Sequence, residues 1–240
     1  MAFMIYFLLA TFLGVVPIAF WLIFFLWQDI RKPEPTRWLL ILFFLGMAIT
    51  PVVWFGENAF LKLLQIKNVN NIAFSLSLVV YGMVAVIEEL AKFFSAKLVL
   101  RGDRYFDEAI DAMIYLIVLA LGFGTVENIL VSYNWLNNGG ILPSIFPVLA
   151  LRFVGANLIH ALCSGIAGYG WALSLLKKQK KPLYWGLFFA IILHWIFNVA
   201  IINWGGEAVY LITFVLFGAT IFLLWVFDAL KHIRKPIVYY

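Results

Sequence analysis

The segment that decides the fold is "SLSLVVYGMVAVIEELAKFFSAKLVL", at residues 75–100. It is long enough to cross a bilayer, because a membrane helix needs about 20 mostly apolar residues. Yet Glu88, Glu89 and Lys92 lie within it. A charged side chain at the centre of a membrane helix costs about 2.5–3.5 kcal/mol on insertion scales, so such residues usually face a bundle interior or a wet cavity. The segment therefore predicts a membrane helix whose charges serve a function.

The composition of the whole chain supports a membrane location. Of its 240 residues, 65% are hydrophobic and 12% are charged, whereas a soluble domain has about 25% charged residues. A soluble fold of this length could not bury so much apolar side chain, so the lipid bilayer is the predicted solvent. The single Cys163 excludes a disulfide framework. The net charge of +5 lies in short segments between apolar runs, which indicates topology signals and no nucleic-acid partner.

Seven apolar runs are long enough to cross a bilayer. They lie at residues 3–27, 38–60, 73–99, 109–131, 149–176, 183–203 and 207–230. Pro51 lies inside the second run, where a proline can shorten or kink a helix. The first run lacks a basic leader and a cleavage site, so we interpret it as a retained membrane helix. Since no linker or repeat divides the runs, we predict an all-α, polytopic helical bundle forming one membrane domain over residues 1–240.

Basic residues are concentrated in alternate connections between the runs. One set of connections contains Arg31, Lys32, Arg37, Arg101, Arg104, the "KKQKK" of 177–181, Lys231, Arg234 and Lys235, and the other contains Lys62, Lys67 and Arg152. Seven helices place the whole first set on one side of the membrane, and cytoplasmic connections are enriched in lysine and arginine. We therefore predict a multi-pass cell-membrane protein with its N-terminus outside and its C-terminus in the cytoplasm.

Polar side chains inside the other runs enlarge the set of buried groups. They are Glu127, His160 and His194, with the amides Asn128, Asn157 and Asn198. Helical spacing places Glu88 beside Lys92, and it likewise pairs Asn157 with His160 and His194 with Asn198. A Glu88–Lys92 pair alone is compatible with a structural ion pair, and a single buried histidine with a core hydrogen bond. Carboxylates and histidines on four different helices together favour a functional cavity.

These residue types suit the hydrolysis of a carbonyl compound. A buried glutamate can take a proton from water and then give it to a leaving amine, while an imidazole or amide stabilises the oxyanion. Zinc held by glutamate and histidine would instead activate its own bound water. The sequence has no HExxH, so separated helices would have to supply the zinc ligands. A serine mechanism through Ser164 is disfavoured, because no GxSxG motif or buried triad aspartate accompanies it.

Four blocks of the sequence resemble, in order, the signature blocks of PrsW-type intramembrane proteases. They are "EELAK" (88–92), "FDEAIDAMIYLIVLALGFGTVENIL" (106–130), "LRFVGANLIHALCSGIAGYGWAL" (151–173) and "LHWIFN" (193–198). The pattern is more distantly similar to the CAAX-processing protease and bacteriocin-immunity superfamily, where Arg and His are usual at the positions of Lys92 and Glu127. Ala109 stands where the PrsW family often has proline.

The resemblance implies an intramembrane endopeptidase that cuts a single-span, membrane-anchored regulatory protein of the anti-sigma-factor type. It places the catalytic core at about 73–203. It assigns a catalytic role to Glu88, Glu89, Glu127, His160, His194 and Asn198, with Lys92 as the basic partner of the glutamates. Asn128, Asn157 and Asp111 are candidate supporting residues, and Asp111 either caps the fourth helix or reaches the cavity.

The residues are compatible with more than one mechanism and more than one function. We favour glutamate-activated water, which requires no cofactor, with all the catalytic side chains converging on one cavity. The alternative is a zinc site made of Glu127, His160 and His194. The alternative functions are a CAAX-type processing protease, or a transporter or immunity-like protein that uses the buried charges without chemistry.

Overall fold

The computed structural model describes residues 2–29, 32–67, 69, 72–102 and 104–233. Within them the fold is all-helical, with α1 (Ala2–Leu26), α2 (Thr36–Leu63), α3 (Phe74–Val99), α4 (Asp111–Asn137), α5 (Leu142–Leu151), a π-helical turn (Arg152–Ala156), α6 (Asn157–Lys177), α7 (Lys181–Trp204) and α8 (Val209–Lys231). Short 3-10 turns follow α1 (Trp27–Asp29) and precede α8 (Gly205–Ala208). In this part of the chain, seven helical segments are long and apolar enough to cross a membrane, and α5 to α6 form one of them. The predicted fold class and number of spans are confirmed.

Helix α4 forms the centre of the bundle. Every residue from Asp111 to Thr125 is buried, which requires neighbours on all sides of the helix. Helices α1, α2 and α6 supply most of those contacts, while α3 packs against α2 and α7. A helix that is apolar all round is typical of the core of a large helical protein. Helix α4 therefore fixes the relative positions of the helices that carry the site.

Two glycines allow α2 to cross α4 at close range. A Cβ atom on Gly46 would lie 2.0 Å from the carbonyl oxygen of Leu119, and one on Gly122 would lie 2.0 Å from that of Phe43. Only residues without a Cβ permit this approach, as is common where membrane helices cross. A Cβ on Gly124 would make only an ordinary contact, 3.5 Å from the His160 ring.

The fifth span differs most from its prediction. It begins at Pro143 instead of 149 and reaches Lys177, because a π-helical turn over Arg152–Ala156 joins α5 to α6 without a break. Pro143 lies in the first turn of α5, where the missing N–H would have no helical partner anyway. The shortening expected at Pro51 is not observed, since α2 continues to Leu63.

The α1–α2 and α3–α4 connections lie at the same end of the bundle. Lys32 Nζ is 2.9 Å from Asp107 Oδ2 and 2.9 Å from Glu108 Oε1. The hydrogen bonds to Glu108 and Asp107 raise the pKa of Lys32 above its ordinary value. This contact agrees with a chain that crosses between the two ends. Arg31, Arg234 and Lys235 lie outside the described residues, and the assignment of this end to the cytoplasm stays a prediction.

Candidate active site

Helix α3 carries both adjacent glutamates and the lysine into the interior. Glu88, Glu89 and Lys92 are 5%, 1% and 1% exposed. Lys92 Nζ lies 3.0 Å from Glu88 Oε2 and 2.9 Å from Glu89 Oε1. One lysine binds both carboxylates because residues three and four positions apart share a helix face. The ammonium group thereby supplies the partner that each buried carboxylate requires.

His160 on α6 extends this network to α4. Its Nδ1 lies 2.9 Å from Lys92 Nζ, and its Nε2 lies 2.9 Å from Glu127 Oε2. An ammonium group can only donate hydrogen bonds, so Nδ1 accepts and the ring proton is on Nε2. Nε2 then donates that proton's hydrogen bond to Glu127. His160 is therefore neutral in this arrangement and links Lys92 to Glu127.

His194 on α7 is held from behind by Glu89. Its Nδ1 lies 2.9 Å from Glu89 Oε1, and since a carboxylate only accepts, Nδ1 carries the proton. The Nε2 lone pair is then left facing Glu88, whose Oε2 is 4.0 Å away. A carboxylate that accepts from one ring nitrogen of a histidine fixes its tautomer. His194 Nε2 is thus suited to accept a proton or to bind a metal ion.

Arg152 belongs to the site although the sequence placed it in a connection. Its Nη2 lies 3.0 Å from Glu127 Oε2, and its Nε donates to Asn128 Oδ1 at 2.5 Å. Asn128 in turn donates to the carbonyl oxygen of Gly14 at 3.2 Å, which ties the group to α1. Arg152 begins the π-helical turn, a feature frequently found at functional sites. Its position two turns before His160 was the available signal.

A cavity of about 590 Å³ opens onto this network. Of the predicted catalytic residues, those lining it are Glu88, Glu127, His160, His194 and Asn198. Glu89 is not among the lining residues and reaches the cavity through His194. Asn157 is fully buried on the same helix as His160, and its amide has no hydrogen-bond partner among the described residues. A second cavity, of about 660 Å³ between α6, α7 and α8, is lined by apolar residues and Tyr169 and holds no comparable cluster.

Asp111 does not join this cavity. Its Oδ2 accepts hydrogen bonds from the backbone N–H groups of Asp107 and Glu108, at 2.9 and 2.7 Å. These bonds close the turn that enters α4, whose N-cap is Ile110 without a side-chain cap hydrogen bond. Asp111 lies with Asp29 and Glu34 in a separate acidic group.

The side chains of the site fit a zinc ion by their chemistry. Glu88, Glu89, His160 and His194 each offer one ligand atom, all within 4.8 Å of one another. Glu88 Oε2 is 3.7 Å from His160 Nδ1 and 4.0 Å from His194 Nε2, slightly more than the about 3.4 Å between ligands of a tetrahedral zinc ion. Carboxylates behind both histidines are also typical of zinc sites. Glu127, a member of the predicted zinc set, lies behind His160 and outside this group.

The fold and the site together define a class of protein. A seven-span bundle that encloses paired carboxylates, two histidines and a cavity has the equipment of an intramembrane hydrolase. The family described as PrsW family intramembrane metalloprotease matches residues 34–226. The chain therefore belongs to the PrsW family, and it is a multi-pass membrane protease.

Curated relatives agree with this membership over most of their length. The chain is similar to Protease PrsW of Oceanobacillus iheyensis, with 27% identity over 92% of this chain and 93% of that protein. It is similar to Protease PrsW of Clostridioides difficile, with 25% identity over 85% and 84% of the two chains, and of Bacillus subtilis, with 26% over 72% of each. No solved structure matches the chain. The protease class thus takes precedence over the transporter and immunity-like alternatives.

Proposed function

We propose that the protein hydrolyses a peptide bond in a single-span, membrane-anchored regulatory protein of the anti-sigma-factor type, using a water activated by Glu88. The observation that carries the proposal is the position of Glu88 Oε2 and His194 Nε2 on the wall of one cavity, 4.0 Å apart. One water that donates both protons joins acceptors separated by about 4.4 Å. A water held in this way directs its lone pairs into the cavity, where the scissile carbonyl would lie.

Glu88 is the general base in this scheme. It takes a proton as the water attacks, and it returns the proton to the leaving amine when the tetrahedral intermediate collapses. Glu89 holds His194 in the tautomer that keeps Nε2 free, so Glu89 is a positioning residue that acts through His194. Asn198, which lines the cavity one helical turn after His194, is placed to donate its amide hydrogen bond to the oxyanion.

Lys92 and His160 hold the base in position. Lys92 donates a hydrogen bond to Glu88 Oε2 at 3.0 Å, and the ring of His160 accepts a hydrogen bond from the same ammonium group. Glu127 and Arg152 fix the far edge of that ring. Through these contacts, α4 and the π-helical turn determine where the Glu88 carboxylate lies.

A metal is the second mechanistic candidate, because the donor set described above is also compatible with zinc. If zinc is bound, Glu88, His160 and His194 would hold it, and it would supply a bound water whose pKa is lowered to about 7. In that case Lys92 would retain its contact with Glu89, and Glu127 would orient His160.

The proposed function is tested with purified protein in proteoliposomes and a panel of single-span substrates. We expect Glu88→Gln to lower cleavage by about 10²–10⁴-fold, the usual contribution of a general base. Glu207→Gln, at an exposed glutamate outside the cavity, is the matched control and should retain activity. Full cleavage by Glu88→Gln, with thermal unfolding unchanged, would remove Glu88 from the mechanism. The uncut membrane protein that accumulates in a deletion strain identifies the substrate.

Metal dependence is decided by metal analysis after stringent chelation. We expect full activity in chelator and no stoichiometric zinc. Stoichiometric zinc, with activity lost on its removal and restored on its return, would replace the metal-free mechanism by the zinc mechanism on the same residues.

A further inference from the structure

A second buried acidic group lies at the other end of α4. Asp29, Glu34 and Asp111 each offer a carboxylate oxygen, and these oxygens lie within 4.8 Å of one another. They come from the end of α1, the α1–α2 connection and the first residue of α4. Asp29 and Asp111 are 7% and 0% exposed. Three carboxylates at this separation repel one another strongly unless a positive charge lies between them.

Two oxygens of this group have no hydrogen-bond donor among the described residues. Asp29 Oδ2 and Asp111 Oδ1 are buried and receive no hydrogen bond from any described residue. Among the described residues of the same connection, the basic side chain is Lys32, and it is bound to Asp107 and Glu108. Buried polar atoms are nearly always satisfied, so these two oxygens indicate a ligand that supplies positive charge.

The hydrogen bonds that the group does receive point at carboxylate oxygens, and they oppose the effect of burial, which favours the protonated form. Asp111 Oδ2 accepts two backbone N–H groups, from Asp107 and Glu108. Glu34 Oε2 accepts the hydroxyl of Tyr115. Donors aimed at a carboxylate stabilise its charge. A cation between the carboxylates would satisfy the group in its ionised form, and a proton shared among the three acids is the competing occupant.

An adjoining cavity reaches the group at Asp29. It has a volume of about 310 Å³, and its polar lining consists of Gln28, Asp29, Lys32, Glu108, Asp228, Lys231 and His232 together with Trp27. A cation that enters here can keep water ligands on the cavity side, as Mg²⁺ usually does. The group contains carboxylates and no histidine or cysteine among its described members, which selects hard cations over zinc.

We propose that Asp29, Glu34 and Asp111 bind one hard divalent cation of the Mg²⁺, Ca²⁺ or Mn²⁺ class. The ion ties the end of α1 and the α1–α2 connection to the start of α4. This site is separate from the active-site residues, so it stands whether or not the proposed mechanism is right.

The test is a Mn²⁺ titration of the chelator-treated, detergent-solubilised full chain, followed by electron paramagnetic resonance of the free ion. We expect uptake of Mn²⁺ that an excess of Mg²⁺ or Ca²⁺ reverses. Asp29→Asn and Glu34→Gln should each weaken it by at least about tenfold, a loss already seen when a group behind a metal ligand is removed. Asp228→Asn removes the same charge from an exposed position on the same cavity and should bind as the unchanged protein does.

The controls separate this site from the active site. An ion held by Glu88, Glu89, His160 and His194 would survive both cluster substitutions, so equal binding by the unchanged protein and the two variants overturns the proposal. No uptake by the unchanged protein overturns it as well and leaves a shared proton as the occupant. If Asp29→Asn does not fold, Glu34→Gln at a half-buried position provides the comparison.

Discussion

Replacing Lys92 by methionine tests whether the buried lysine is the charge that makes paired glutamates tolerable inside the bundle. Methionine keeps most of the side-chain length and removes the charge. Lys92 Nζ lies 3.0 and 2.9 Å from the two carboxylates, and each contact corresponds to about 5–6 kcal/mol of Coulomb energy at an effective dielectric constant near 20. Desolvation of the ions offsets part of this, and breaking a buried pair by removing one partner costs about 3–5 kcal/mol.

We therefore expect Lys92→Met to lower the free energy of unfolding by about 3–5 kcal/mol and to abolish cleavage. When one of the two glutamates takes up a proton, only the other carboxylate remains charged without a partner, and this limits the loss in the free energy of unfolding. The double variant Lys92→Met with Glu89→Gln should then recover part of the stability, with a coupling free energy of about 1–3 kcal/mol. It should not recover cleavage, because His194 loses its carboxylate partner.

The assay is equilibrium unfolding in mixed micelles, monitored by tryptophan fluorescence, for the two single variants and the double variant. Lys97→Met, on the same helix with its ammonium 5.7 Å from the Phe93 ring, is the control and should cost about 1 kcal/mol or less. A coupling free energy below about 0.5 kcal/mol, the limit for independent sites, would refute the reasoning that Lys92 acts by charge compensation.

Three further predictions follow from particular contacts. Gly122→Ala should destabilise the fold by about 1–3 kcal/mol, because its Cβ would lie 2.0 Å from a backbone oxygen. The control is Gly218→Ala, whose Cβ would have no atom within 4 Å. It should be neutral or stabilising by up to about 1 kcal/mol in the same unfolding assay. Arg152→Gln should lower kcat by about 10–100-fold, as expected for a residue that contacts a side chain of the site from outside. Arg152→Lys keeps the charge and should restore part of the cleavage rate. Equal cleavage rates for the two variants would contradict a role for the charge. Burial raises the pKa of Glu34 above its ordinary 4.5. In chelated protein its contribution to stability is therefore complete below that pH and is lost as pH rises through the raised pKa. Unfolding midpoints across about pH 4–8 should show this slope, and Glu34→Gln should reduce it, while Asp29 and Asp111 remain.

The helices could be predicted because their signal is local. A run of apolar residues long enough to cross a bilayer determines a span by its own length, and the spacing of Glu88 and Lys92 determines a shared face. The start of the fifth span could not be located, because Pro143 in the run resembles a break. Its first-turn position and the π-helical turn over Arg152–Ala156 become visible only in three dimensions.

The residues that form the site could be predicted from the sequence more readily than their hydrogen-bond partners. Sequence reasoning selected Glu127 and His160 but treated Arg152 as a boundary charge, since a residue near the end of an apolar run is ordinarily solvated. The structure gives Arg152 two partners on α4, the buried Asn128 and the half-buried Glu127. The acidic group at the other end was missed for a related reason, because Asp29 and Asp111 are far apart in the chain and each resembles a helix cap.

The charges of the site indicate why a glutamate, rather than a histidine, is suited to take the proton. Three carboxylates (Glu88, Glu89 and Glu127) face two cations (Lys92 and Arg152), and both histidines are neutral in the tautomers deduced above, so the group carries a net charge of −1. Proton transfer from water to Glu88 brings the protein groups to neutrality while the new negative charge appears on the substrate oxygen. Transfer to His194 instead would leave Glu88 charged beside the oxyanion, and like charges at such distances are costly in a low dielectric. Zinc would change the net charge to +1 and favour a bound hydroxide. The chelation experiment therefore separates two mechanisms that use the same residues but differ in the net charge of the site.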